Sequence, residues 1–112
     1  MRIQVEEKTG INICYPEGDI DINTSPQVKK TFDKVLQTKA QKVIINLKGV
    51  GYIDSSGLAT LVEILKNFRK QGGRLKLCNL SNKVKSLFEI TKLERLFDII
   101  DSEEEAVQGF SS

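Results

Sequence analysis

The run Lys42-Val43-Ile44-Ile45-Asn46-Leu47 constrains this chain more than any other stretch. Apolar, mostly β-branched residues at both odd and even positions do not suit a strand with one wet face. They suit a strand covered on both sides, the mark of a central parallel strand. Parallel neighbours must be joined by crossovers, so helices are needed on either flank. Ser25-Pro26 predicts one such helix, with Ser25 as the cap and proline at the first helical position. Val28, Phe32, Val35 and Leu36 then recur at helical spacing. A second helix follows Asp54-Ser55-Ser56-Gly57, with Leu58, Leu61, Val62, Leu65 and Phe68 as its apolar stripe. Glu63, Lys66, Asn67 and Lys70 face water, and Gly72-Gly73 ends the helix.

The remaining segments extend this alternation. Arg2 to Glu7 alternates apolar and polar residues, and Thr9-Gly10 turns it into a second strand from Ile11 to about Tyr15, resuming at Asp19-Ile20. That spacing predicts an antiparallel hairpin at one side of the sheet. Arg74 to Cys78 is a further strand, and Ser81 or Asn82 caps a short helix carrying Val84, Leu87 and Phe88. A short strand near Phe97 to Ile100 precedes Ser102-Glu103-Glu104-Glu105, where Ser102 and Glu105 have capping-box spacing. The order β-β-α-β-α-β-α-β-α implies an α/β fold with a mostly parallel sheet of four or five strands and about four helices. With 112 residues the chain suffices for one domain and not for two.

Composition narrows the function. Charged residues make up 29% and the net charge is only +2, with Lys and Arg dispersed, so no basic face for nucleic acid stands out. No apolar run approaches bilayer length and the N-terminus has no signal core, which points to a cytoplasmic protein away from membranes. Cys14 and Cys78 lie far apart in strand-like stretches and read as small core residues. Two cysteines without histidine cannot form a thiolate–imidazole zinc cage. The lack of histidine also removes Ser-His-Asp and Cys-His nucleophile arrangements, leaving carboxylate and lysine chemistry open.

Asp54-Ser55-Ser56-Gly57 falls just past the carboxyl end of the central strand, where α/β sheets gather their ligands. A helix N-terminus presents unpaired N–H groups and partial positive charge. A serine there is fixed in position and open to a kinase, and a phosphate would add about −1.5 to −2 charge. Beside Asp54, phosphorylated Ser55 would form a concentrated anionic patch. The same four residues also read simply as a helix cap and a tight turn, since Asp and Ser cap helices and Gly eases turns.

The wider sequence bears on that choice. Asp54-Ser55-Ser56-Gly57-Leu58 after Lys42 to Leu47 resembles the phosphorylation region of bacterial anti-sigma factor antagonists, the STAS-domain family. Gly18-Asp19-Ile20-Asp21 resembles that family's Gly-acidic-aliphatic-Asp stretch, with Asp19 where glutamate is frequent. Gly72-Gly73-Arg74-Leu75-Lys76-Leu77-Cys78, and Val84-Lys85-Ser86-Leu87-Phe88 with Leu93 and Phe97, resemble its later segments. The resemblance covers nearly the whole chain and implies one STAS-like domain over residues 1–112. It implies that Ser55 accepts phosphate from a partner that is both anti-sigma factor and serine kinase. It also implies that phosphorylation breaks the complex and that a serine phosphatase restores it. Asp21 matches an acidic docking position, and Asp54 and Ser56 flank the acceptor. ATP and magnesium would belong to the partner, leaving this chain without a cofactor.

Tyr52, Ile53 and Leu58 are candidate apolar contacts around Ser55, with Asp21 and Asn23 as polar neighbours and Gly57 permitting close approach. Ile53 and Leu58 suit a core equally well, and Asp21 and Asn23 suit a turn. Three rival readings remain. A response-regulator-like receiver would be phosphorylated on Asp54, but it needs further acidic residues for a metal, which the first strands do not offer. A serine hydrolase elbow would need glycine where Ile53 stands, and a base. A stand-alone STAS subunit of a lipid or anion transport system keeps the fold and changes the task.

Overall fold

The computed structural model describes residues 1–111 and contains a five-stranded sheet in the order β1-β2-β3-β4-β5. β1 (Arg2–Lys8) pairs antiparallel with β2 (Ile11–Glu17), and β3 (Lys42–Asn46), β4 (Arg74–Cys78) and β5 (Asp98–Ile100) follow in parallel. The expected mixed, mostly parallel sheet is therefore present, with five strands. Thr9 and Gly10 both have positive φ, the backbone of a tight hairpin turn whose twist matches the flanking strands. β2 outruns its expected end at Tyr15. Its ladder to β3 covers only Asn12 to Cys14, while Pro16 and Glu17 still face Ile3 and Arg2 of β1. Ile20 does not resume that strand and forms a lone parallel bridge with Ile53.

Alternation along the central strands assigns the helices to faces. Val43, Ile45 and Leu47 point into the larger core with Leu75 and Leu77, packed by α1 (Ser25–Gln37), α2 (Ser55–Lys70) and α3 (Asn82–Ile90). Ile44 and Cys78 point the other way, onto Ala106 and Phe110 of α4 (Glu103–Ser111). Asn46 interrupts the apolar run on this second face without being left unpaired. Its amide donates to Glu103 Oε1 (3.1 Å) and its carbonyl accepts from Lys48 N (2.9 Å). Lys76 is buried there too, with Nζ 4.7 Å from the Phe110 ring centroid and 3.6 Å from Asp98 Oδ2. A single 3-10 turn, Leu93–Arg95, links α3 to β5.

The caps largely follow the sequence. Ser81 accepts from Val84 N and Ser102 from Glu105 N, each at 3.2 Å. The start of α1 differs from expectation. Thr24 holds the cap position, and Ser25 is buried as the first helical residue with its hydroxyl donating to Asp21 O (2.7 Å). No side chain caps the helix; upstream, the Asp21 carboxylate accepts from Asn23 N (2.9 Å) and Thr24 N (3.1 Å). This Asx turn orders the chain just before the helix, and the Gln27 and Val28 amides donate to Thr24 O instead of to a serine hydroxyl.

Candidate functional site

At the carboxyl ends of β2 and β3, two segments far apart in sequence run side by side. Ile20 N donates to Tyr52 O (3.0 Å) and Asp54 N donates to Ile20 O (3.1 Å). A third bond closes the seam, from Ile22 N to Asp54 Oδ2 (3.2 Å). Asp54 is also the N-cap of α2 in extended backbone, accepting from Gly57 N (2.9 Å) and the Ser56 hydroxyl (2.7 Å) at Oδ1. The Ser56 hydroxyl, the Gly57 N–H and the Ile22 N–H hold the Asp54 carboxyl below its ordinary range. One carboxylate thus joins the β2–α1 loop to the first turn of α2.

Gly57 is required by that junction. A Cβ there would collide with Ile20 O and lie 2.8 Å from Ile53 Cγ2 and 2.9 Å from Ile20 Cγ2. Only glycine lets α2 begin this close to the seam.

The two serines of the turn have different fates. Ser55 is exposed as the first helical residue, and among the described residues its hydroxyl has no hydrogen-bond partner. Ser56 is half-buried and its hydroxyl is committed to Asp54. Of the two hydroxyls, that of Ser55 is the exposed and uncommitted one.

The other expected site residues divide. Asp21 is half-buried and Asn23 exposed on the loop beside Asp54, and Tyr52 is 40% exposed with Lys83 Nζ 5.3 Å from its ring centroid. Gly57 lies beneath the surface. Leu58, expected among the docking contacts, is a core side chain only 8% exposed, as is Ile53 at 1%. The reason is periodicity: Leu58 begins the stripe that Leu61, Leu65 and Phe68 continue into the core. Val62, assigned to that stripe, is only half-buried, and Ile64 takes the inward position instead. Sequence reasoning missed Ile22, which is 71% exposed on the rim, and Lys83. The available signal for Ile22 was an apolar residue standing between the polar turn formers Asp21 and Asn23.

The receiver reading would need Asp54 available to a phosphate donor, but both of its oxygens accept hydrogen bonds, Oδ1 within the turn and Oδ2 from the β2–α1 loop. No group of three or more metal-type side chains converges among the described residues. A cleft of about 500 Å³ lies between Tyr15, Asn46, Lys48 and Glu103, and no residue of the 52–57 turn lines it. No helix among the described residues is long and apolar enough to cross a membrane.

Comparisons agree with this architecture. A family profile described as the STAS domain matches residues 2–106. The anti-sigma-B factor antagonist of Bacillus subtilis is 38% identical over 105 residues, covering 94% of this chain and 93% of that protein. The crystal structure of the Thermotoga maritima protein TM1081 superposes with a TM-score of 0.93 at 28% identity, over 98% of this chain and 95% of that one. The anti-sigma factor antagonist SpoIIAA in its unphosphorylated form shares the fold, with a TM-score of 0.75 at 21% identity over 99% of both chains.

Proposed function

From the premise that this chain belongs to the STAS-domain family, we propose that it is an anti-sigma factor antagonist switched by phosphorylation of Ser55. Unmodified, it binds an anti-sigma factor that is also a serine kinase, through the rim formed by Asp21, Asn23, Tyr52 and the Asp54-Ser55-Ser56-Gly57 turn. It acts as a binding protein rather than an enzyme, in the cytoplasm where transcription proceeds. ATP and magnesium are the partner's. A serine phosphatase returns the chain to its binding state.

The contrast between the two serines carries this reading: Ser55 is exposed with an uncommitted hydroxyl, whereas Ser56 is hydrogen-bonded to Asp54. In the transfer, Ser55 Oγ attacks the γ-phosphorus of ATP, the bond to ADP breaks, and the hydroxyl proton leaves to a base on the kinase. The product is a dianion between the Asp54 carboxylate and the phosphates of the departing nucleotide. Like charges forced together in an interface cost several kcal/mol, so the complex separates.

Incubation with the cognate anti-sigma factor, ATP and magnesium, followed by mass spectrometric mapping, is expected to find phosphate on Ser55. Ser55→Ala should escape phosphorylation and still bind, while Ser55→Asp should weaken binding by on the order of a few kcal/mol. Phosphate on Ser56 or Asp54, or loss of binding by a folded Ser55→Ala, would overturn the switch.

A further inference from the structure

Among the described residues four large apolar side chains stay exposed, namely Val5, Ile22, Tyr52 and Ile90. Two of these adjoin the phosphoacceptor. Tyr52 precedes Asp54 by two residues, and Ile22 is hydrogen-bonded through its own N–H to Asp54 Oδ2. A β-branched residue has no conformational advantage in a turn, and here it stands among Asp19, Asp21, Asn23 and Thr24.

Its backbone, moreover, is fixed. Asp21 N donates to Thr24 Oγ1 (2.9 Å), Thr24 Oγ1 donates to Asp19 O (2.8 Å), and Asp21 Oδ1 accepts from Asn23 N and Thr24 N. Together with the Asp54 bond, these contacts hold the loop while its 71% exposed side chain faces water. A side chain offered from a pre-ordered backbone loses little freedom on docking. Two acidic residues precede it closely in the chain, half-buried Asp21 next to it and exposed Asp19 three residues before.

We propose that Ile22 is the apolar anchor of this surface, entering an apolar recess bordered by Lys or Arg on the anti-sigma factor kinase, and that it governs which kinase is accepted. The inference rests on the antagonist reading above and adds to it the residue that supplies apolar contact. An apolar centre within a charged border is the composition of protein–protein hot spots.

The test compares wild type, Ile22→Ala, Ile22→Val and Ile90→Ala for binding to the purified cognate anti-sigma factor and for steady-state phosphorylation by it. Ile90 is the control, an isoleucine 78% exposed on α3 outside the rim. Ile22→Ala is expected to weaken binding at least about tenfold, equivalent to ~1.4 kcal/mol, and to raise KM with kcat within about twofold of wild type. Ile22→Val should recover most of the affinity and Ile90→Ala should lose none. Unchanged melting would accompany all three, since each removes exposed surface. Should wild type and Ile22→Ala bind equally well, Ile22 is no anchor and the antagonist reading stands. Should wild type itself fail to bind, the antagonist reading falls and this inference with it.

Discussion

Both carboxyl oxygens of Asp54 accept hydrogen bonds, one from the start of α2 and one from a loop 32 residues earlier in the chain. Asparagine in its place keeps an acceptor for the helix cap but turns an N–H donor toward the Ile22 N–H, or the reverse. The folded carboxyl sits below its ordinary range, so its contribution is complete above the unfolded value and is lost as pH falls through the folded one. Asp54→Asn should therefore melt below wild type at neutral pH, with the gap closing in acid as wild type protonates. Thermal melts from about pH 2 to 6 would measure it, and a gap independent of pH would show that the charge is irrelevant. Sequence alone could identify Asp54 as a cap, because capping is local chemistry. Its second bond was illegible, because that depends on which loop the fold brings alongside. The same holds for Ile22, whose exposure is a property of tertiary placement.

At the scale of elements, α2 is the piece that must be set accurately. Its buried stripe anchors it to the sheet through Leu61, Ile64, Leu65 and Phe68, all nearly inaccessible. Each such side chain contributes about 1.5–3 kcal/mol through burial. Gly57 then fixes how near its first turn comes to Ile20 and Ile53. Gly57→Ala should destabilise the fold by about 1–3 kcal/mol in urea titration and slow phosphorylation of Ser55, because α2 must retreat from the seam. Wild-type stability and rate together would exclude a positioning role for this glycine. Helices and strands were legible here through periodicity, and the covered strand Lys42–Asn46 announced itself by composition. The start of α1 was not, since Ser25-Pro26 satisfies the rules of a cap while the fold turns the Ser25 hydroxyl back to Asp21 O and leaves Thr24 at the cap position. Leu58 was ambiguous for a similar reason: the stripe and the turn meet at that residue.

For the molecule as a whole, the three crossover helices share one face and α4 covers the other, so the Ser55 rim draws on one end of the sheet. Cys14 and Cys78 read from sequence as core residues, and both are buried, with burial pushing each thiol up to about 12. The rim is assembled from two stretches that meet only in the native topology. A synthetic peptide spanning residues 50 to 60 should consequently be phosphorylated by the cognate anti-sigma factor at least about a hundredfold less efficiently than the intact protein, measured as kcat/KM. Equal efficiency would mean that the kinase reads a linear motif.

The seam between Ile20–Ile22 and Tyr52–Asp54 exists only in the folded chain. A nascent or heat-damaged copy carries the same aspartate and serines but no joined edge, so under the proposed switch it would neither compete for the kinase nor consume nucleotide.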